Sequence, residues 1–138
     1  MKKIIMMLLA GSGLMLAASQ PAHSFAEGRF LGIDRDADNL ISMEELVAYR
    51  ERLFKEYDQN GDGQVEFEEY VQARQLRSVT APPYSKVEVP DEYREMDANG
   101  DTILTLEEVT AVGVTRFEKL DTNGDGKISK DEFVSPGL

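Results

Sequence analysis

The sequence predicts an all-α fold built from four loop–helix units, with short strand bridges between paired loops. A twelve-residue pattern of oxygen-bearing side chains occurs four times in the 138 residues. Apolar residues recur at helical spacing between these patterns, which predicts amphipathic helices. An aliphatic residue stands at the eighth position of every pattern, where extended backbone can pair with another loop. The four patterns, called loops one to four, span residues 34–45, 58–69, 97–108 and 121–132.

Loop two shows the pattern most clearly. Between Asp58 and Glu69, oxygen-bearing side chains stand at positions 1, 3, 5, 9 and 12, so alternate residues of a tight loop can point inward. Gly63, at position 6, permits the sharp turn. A calcium ion takes about six to eight oxygens at roughly 2.3–2.6 Å. A single such stretch could be a solvated turn, but four copies with Glu at position 12 and apolar flanks favour a calcium site.

The other loops repeat this pattern with two departures. Loop four fits every position, whereas Asn39 replaces the position-6 glycine in loop one and Thr102 replaces it in loop three. Position 7 is expected to contribute its main-chain carbonyl and the remaining positions their side chains. The candidate calcium ligands are Asp34, Asp36, Asp38, Leu40, Ser42, Glu45, Asp58, Asn60, Asp62, Gln64, Glu66, Glu69, Asp97, Asn99, Asp101, Ile103, Thr105, Glu108, Asp121, Asn123, Asp125, Lys127, Ser129 and Glu132.

These residues resemble the EF-hand, the helix–loop–helix calcium motif. The resemblance covers the chain from about residue 25 onward. In the close spacing of its loops, the chain is similar to small exported bacterial EF-hand proteins. The resemblance implies Ca²⁺ as the bound ion. The chain departs from calmodulin-like proteins because loops one and two start at Asp34 and Asp58, only 24 residues apart, as do loops three and four. One helix must therefore leave the first loop of each half and enter the second.

The helices are predicted in order along the chain. Apolar side chains and Arg50 recur at helical spacing between Met43 and Tyr57, without Gly or Pro, so this segment is expected to be one shared helix. Prolines break the chain after loop two and make residues 79–90 an extended connector, for which a docking segment is the less favoured alternative. The remaining predicted helices span residues 25–33, 68–77, 91–96 and 107–120, with a stub after Glu132. The predicted domains are a signal peptide at 1–24 and an EF-hand domain at 25–138, whose halves are 25–78 and 91–138.

The first 24 residues resemble a secretory signal peptide. Two lysines precede an apolar run from Ile4 to Ala18, and small residues follow it. That run is shorter than the roughly 20 residues needed to span a bilayer, so a membrane anchor is the weaker alternative. Cleavage is expected after Ser24 or Ala26. The sequence therefore predicts a periplasmic or secreted protein without a membrane anchor after cleavage.

Composition excludes several functions. The formal net charge is −11, and many of the 26 acidic residues stand at the ligand positions. Clustered lysines and arginines are missing, so nucleic acid is not expected as a partner. The chain has no cysteine, and its one histidine, His23, lies in the predicted signal segment. No nucleophile or phosphate-binding motif is found, so no catalytic residue and no enzyme activity are predicted.

The favoured function is a calcium buffer or a calcium-stabilised binding module. A calcium-dependent sensor and a dockerin-like adaptor are the alternatives, each with a protein target that the sequence does not identify. Sensors use flexible methionines to bind targets, and only Met43 and Met96 lie outside the signal segment. Dockerin loops characteristically end in Asp, whereas all four loops here end in Glu.

Two further predictions concern the loops themselves. The helix between loops one and two holds them roughly 20 Å apart at about 1.5 Å per residue, so loop two should pair with loop three and loop one with loop four. The expected bridges join Val65 to Leu104 and Ile41 to Ile128. Loop three should be the weakest site, because Thr102 must take a positive φ that a β-branched residue adopts poorly.

Overall fold

The protein is rich in helix and contains short strands. The structure, a computed structural model, describes residues 21–82, 85–134 and 138, so most of the predicted signal segment lies outside the described residues. No helix in these ranges is long and apolar enough to cross a membrane. The elements are α1 (Pro21–Ile33), β1 (Leu40–Ser42), α2 (Met43–Tyr57), β2 (Val65–Glu66), α3 (Phe67–Ala73), α4 (Asp91–Met96), β3 (Ile103–Leu104), α5 (Leu106–Leu120) and β4 (Lys127–Ser129).

Helix α2 has the bounds that the sequence predicts. It begins after Ser42, whose hydroxyl accepts a hydrogen bond from the main-chain N–H of Glu45, while the Glu45 carboxylate accepts one from the N–H of Ser42. This capping box satisfies two amide groups that a helix start otherwise leaves unpaired. The buried face of α2 carries Leu46, Arg50, Phe54 and Tyr57, at intervals of three or four residues. The sequence of loop one therefore starts the helix that leads to loop two.

The two strand bridges join the loops in the predicted pairs. Strands β1 and β4 are antiparallel, with Ile41 opposite Ile128. Strands β2 and β3 are antiparallel, with Val65 opposite Leu104. Both predicted residue pairs are confirmed. Each bridge joins a loop of the first half of the chain to a loop of the second half.

Each pair of loops has its own apolar core. The outer core lies under loops one and four and contains Phe30, Ile33, Ile41, Leu46, Phe117, Ile128, Phe133 and Leu138. The inner core lies under loops two and three and contains Phe54, Tyr57, Val65, Tyr70, Tyr93, Met96, Leu104 and Val109. Helices α2 and α5 pack against each other and supply residues to both cores. The aromatic residues four positions before each loop are all buried, as expected for the inner face of an entering helix.

The two halves are related by a shift of 63 residues, the difference between Asp34 and Asp97 and between Asp58 and Asp121. The same shift relates Arg50, near the middle of α2, to Gly113, near the middle of α5. These two residues meet, because a Cβ built on Gly113 would lie 2.6 Å from Nε of Arg50. A large and a small residue therefore share the crossing of the two central helices.

Four element boundaries differ from the sequence predictions. Helix α1 begins at Pro21 instead of residue 25, and α3 and α5 each begin one residue early, at Phe67 and Leu106. Helix α3 ends at Ala73 instead of residue 77, because Gln75 takes a φ of 51° and the N–H of Leu76 donates to the carbonyl of Val71. This is a Schellman termination.

The chain after loop four forms a turn and no helical stub within the residues described. The N–H groups of Glu132 and Phe133 both donate to the carbonyl of Ser129. Phe133 then packs edge-on against Phe30, with ring centroids 5.4 Å apart. A buried aromatic residue therefore closes the outer core where the stub was predicted.

Candidate metal centres

Loops one to four share one hydrogen-bonded frame around their first residue. In every loop, Oδ2 of the position-1 aspartate accepts a hydrogen bond from the main-chain N–H of position 6. The distances are 3.1 Å at Asp34, 3.0 Å at Asp58, 3.1 Å at Asp97 and 2.9 Å at Asp121. These contacts fold the loop back towards its start. The four sequence-predicted loops thus have one common geometry, including loops one and three, which lack the position-6 glycine.

The position-12 glutamate closes each loop from the other end. Its Oε2 accepts a hydrogen bond from the main-chain N–H of position 9 in all four loops, at 2.9–3.1 Å. In loop two, Oε1 of Glu69 also accepts from the N–H of Asn60, at 3.1 Å. In loop one, Oε1 of Glu45 accepts from Arg35 at 2.7 Å. In these loops the carboxylate of position 12 is thereby held next to the first residues of the loop, where the position-1 carboxylate lies.

Three carboxylate oxygens converge in loop one. One oxygen each of Asp34, Asp36 and Asp38 lies within 4.8 Å of the others. Within the described residues, Oδ1 of Asp34 and Oε1 of Glu108 are buried and accept no hydrogen bond. A buried oxygen without a partner is costly, and a hard cation would satisfy it. The residues present therefore fit a calcium ion.

Hydrogen bonds hold two of the position-12 glutamates in the charged form. The amide and hydroxyl of Ser129 lower the pKa of Glu132 to about 2, with help from Thr122 and Asn123. At Glu45, partial burial raises the pKa, but hydrogen bonds from Ser42, Arg35 and Asp36 outweigh it, so the pKa lies below its ordinary value. Because calcium ligands must be deprotonated, these contacts prepare the carboxylates for metal binding.

The position-9 hydroxyls point to a positioning role. The sequence places Ser42, Thr105 and Ser129 among the candidate ligands. Their hydroxyls donate to Oε2 of the position-12 glutamate of the same loop, at 2.8–3.0 Å. They therefore orient the position-12 glutamate of their own loop, a contact that loop spacing alone did not reveal.

Two positions in every loop take a positive φ. Position 6 does so in all four loops, as the sequence predicts, with 66° at Asn39 and at Thr102. Position 4 does so as well, and there loop one carries Ala37 with a φ of 60°. The other three loops have glycine at position 4. Sequence reasoning missed this strain in loop one, although alignment of the four loops would have shown it.

Relieving this strain should tighten calcium binding. A left-handed conformation costs an L-residue about 1–2 kcal/mol, equivalent to roughly a tenfold change in affinity. Thr102→Gly is expected to tighten loop three by about that factor, and Ala37→Gly should do the same for loop one. Calcium titration followed by the NMR amide signals of each loop would measure both.

The matched control is Asn39→Gly in loop one. Asparagine tolerates a positive φ, so this substitution should change affinity least of the three. An Asn39→Gly gain as large as that of Thr102→Gly would contradict the assignment of strain to residue type.

Loops one and four are also linked by charge. Nζ of Lys127, in loop four, lies 3.3 Å from Oδ2 of Asp38, the position-5 carboxylate of loop one. Lys130 donates to Oδ1 of Asn39 at 2.7 Å. The ammonium group of Lys127 in loop four thus forms an ion pair with Asp38, a candidate calcium ligand of loop one. It should compete with calcium at loop one.

Removing the positive charge of Lys127 should raise the calcium affinity of loop one. An exposed ion pair is worth about 0.2–1 kcal/mol, so Lys127→Gln is expected to raise calcium affinity at loop one by up to about fivefold. The main-chain carbonyl of Lys127 stays in place for loop four. Lys119→Gln removes the same charge at the end of α5 and is the control. Equal affinities of loop one in the two variants, measured by NMR titration, would refute the competition.

Two segments match models of a known family. Residues 50–76, which contain loop two, match the EF hand domain, and residues 114–135, which contain loop four, match the EF hand. The chain therefore contains EF-hands. The frames of loops two and four lie within these matched segments, and the matches support calcium binding. Loops one and three lie outside the matched segments.

The EF-hands place the chain near several known proteins. Calcineurin B of Naegleria gruberi is 26% identical over 129 residues, covering 77% of this chain and 73% of that protein. Calcineurin B type 2 of Homo sapiens is 27% identical over 128 residues, covering 76% and 75%. Guanylyl cyclase-activating protein 2 of Lithobates pipiens is 30% identical over 131 residues, covering 77% and 62%.

Proposed function

We propose that the protein binds four calcium ions, one in each loop, and that it is a calcium-stabilised binding module or buffer outside the cytoplasm. The observation that carries this proposal is the common frame of the four loops, in which positions 1 and 12 accept equivalent hydrogen bonds. Loops one and three are included because they have this frame and because each is bridged to a loop that matches the family. The side-chain and carbonyl oxygens of the candidate ligand set would hold the ions.

Calcium should also stabilise the fold. The chain carries a net charge of −11, and acidic ligands in four loops repel one another without cations. An ion that binds only the folded state stabilises it by mass action. The stability of the protein should therefore rise with free calcium, and both bridges should hold best when all loops are filled.

Isothermal titration calorimetry on chelator-treated protein tests the number of sites. Four ions per chain are expected, together with a calcium-dependent rise of the thermal midpoint. Magnesium at equal concentration is the control, because it demands a near-ideal octahedral shell and gives up its water ligands reluctantly. A stoichiometry of two, with NMR shifts confined to loops two and four, would refute binding at loops one and three.

Export is the second part of the proposal and rests on residues 1–24 alone. The Lys-Lys start, apolar run and small residues support a cleaved signal peptide. The intact mass of protein recovered from the periplasm or medium should correspond to a chain that begins at Phe25 or Glu27. Recovery of a chain that retains Met1 in the cytoplasm would refute export.

A target-binding role is the second candidate. Two of the similar proteins support this role. One is a subunit of calcineurin, and the other is a guanylyl cyclase-activating protein. A pull-down with and without calcium separates the roles. Capture of a partner only with calcium supports a sensor, capture in both states supports a calcium-stabilised adaptor, and capture in neither supports a buffer. We propose no enzyme activity, because the site residues are suited to holding a cation and no catalytic motif accompanies them.

A further inference from the structure

We propose that the protein has a second kind of ligand site, a cavity beside the α2–α5 crossing that binds an organic monocarboxylate through Arg50. The cavity has a volume of about 540 Å³ and is lined by residues of α1, α2, α4 and α5, together with Arg74 and Leu138. None of its lining residues belongs to the candidate calcium ligands. It is therefore separate from the metal centres.

Arg50 is the residue that requires a ligand. Its side chain is 2% exposed, and within the described residues its Nε and Nη2 atoms have no hydrogen-bond partner. A buried charge without a partner is strongly destabilising, so a core position held by arginine needs a compensating interaction. The sequence shows the same anomaly, because Arg50 occupies a position of the apolar stripe of α2.

The fold makes room for this arginine. Gly113 of α5 lies against it, and a Cβ there would come within 2.6 Å of Nε and 2.9 Å of Cγ of Arg50. In a helix interior, glycine is a weaker helix former than alanine. At the α2–α5 crossing, the absence of a side chain at Gly113 thus leaves the space that the guanidinium of Arg50 occupies.

The carboxylates that line the cavity already have cationic partners. Glu92 accepts from Arg74 at 3.1 Å, Glu95 accepts from Arg116 at 2.5 Å, and Asp91 accepts from Arg94 at 2.8 Å. Glu92 also accepts from the hydroxyl of Tyr70 at 3.4 Å. The guanidinium of Arg50 is therefore left with donors for an incoming anion.

The lining charges select a monoanion. Arg29, Arg50, Arg74 and Arg116 lie beside Asp91, Glu92 and Glu95 in the cavity wall, and Arg29 also donates to a main-chain oxygen of Leu138. Arg50, whose buried Nε and Nη2 atoms have no hydrogen-bond partner among the described residues, is therefore the cation available to a single negative charge. A guanidinium pairs with a carboxylate through two parallel hydrogen bonds. A phosphate dianion would meet three carboxylates and is disfavoured. Tyr49, Leu53 and Tyr57 add an apolar wall, so the carboxylate should carry an apolar group.

The test is an NMR titration of the calcium-loaded full-length protein with 3-phenylpropionate. The side-chain Nε–H signal of Arg50 and the amide signal of Gly113 should shift and saturate. The neutral amide, 3-phenylpropionamide, has the same shape and should bind at least about tenfold more weakly. Inorganic phosphate should also bind more weakly.

The key variant is Arg50→Met, which keeps the length of the side chain and removes its charge. Replacing an unpaired buried charge with an apolar side chain is often neutral or stabilising, so the variant should fold, and an unchanged calcium titration verifies this. Binding of 3-phenylpropionate should fall at least about tenfold. Loss of the carboxylate site with calcium binding intact supports the proposal.

The source of the carboxylate is separated by a second arm. A short peptide ending in Leu-Phe with a free carboxylate is compared with its C-terminal amide. Tighter binding of the free peptide than of 3-phenylpropionate identifies a chain end as the ligand, and the reverse order identifies a small molecule. No saturable shift with either carboxylate, equal binding of the neutral probe, tighter binding of phosphate, or full binding to Arg50→Met would each overturn the proposal.

Discussion

Glu69→Gln is expected to abolish tight calcium binding at loop two, and Glu132→Gln should do the same at loop four. Each glutamate can give the ion two oxygens, whereas a carboxamide can give one. The substitution also disturbs the frame, because Oε1 and Oε2 of Glu69 both accept main-chain hydrogen bonds at 3.1 Å. Loss of a partner that only orients a metal ligand costs about 10–100-fold in affinity, so loss of a ligand oxygen should cost at least as much.

Calorimetry on the two variants would show one tight site fewer in each. The matched controls are Glu56→Gln on the exposed side of α2 and Asp131→Asn beside Glu132, which remove the same charge from neighbouring exposed positions. Four tight sites in both glutamate variants would disprove the role of position 12. A loss of equal size in the controls would show that net charge, and not ligand identity, sets the affinity.

Ile128→Ala should produce the largest loss of stability. Ile128 is fully buried, lies opposite Ile41 in the β1–β4 bridge and belongs to the outer core. Truncating a buried isoleucine to alanine costs about 2–5 kcal/mol, from lost burial and the remaining cavity. Because the bridge joins two loops, calcium affinity should fall at loop one as well as at loop four.

Urea unfolding of the calcium-loaded protein, followed by circular dichroism, would measure this loss. Val134→Ala is the control, because Val134 is 57% exposed in the same segment, and its effect should be within about 0.5 kcal/mol. A loss below about 1 kcal/mol for Ile128→Ala, or a calcium effect confined to loop four, would contradict the coupled outer core.

Much of this fold follows from the sequence because the loops carry strong local signals. Oxygen-bearing residues at fixed positions locate each loop to the residue, and the uninterrupted apolar stripe from Met43 to Tyr57 gives the bounds of α2. The pairing of loops follows from helix length alone. A rigid helix between loops one and two keeps them apart, so each must find its partner in the other half.

The remaining features depend on contacts between distant residues. The C-terminal end of α3 is set by the left-handed conformation of Gln75, a residue type that does not mark helix ends. Tyr93 donates its hydroxyl to the carbonyl of Thr102 at 2.6 Å, which supports loop three across nine residues. The contact of Arg50 with Gly113 appears only once α2 and α5 are packed together. No local pattern encodes such contacts.

Because the loops pair between the two halves of the chain, neither half contains a complete strand bridge. Residues 25–78 supply one strand to each bridge, and residues 91–138 supply the other. Cleavage of the peptide chain in the connector, residues 79–90, would therefore leave two fragments. The two bridges and the two cores would hold these fragments together as a non-covalent complex. Conversely, a half that finds its complement in another molecule would produce an exchanged dimer with every bridge intact.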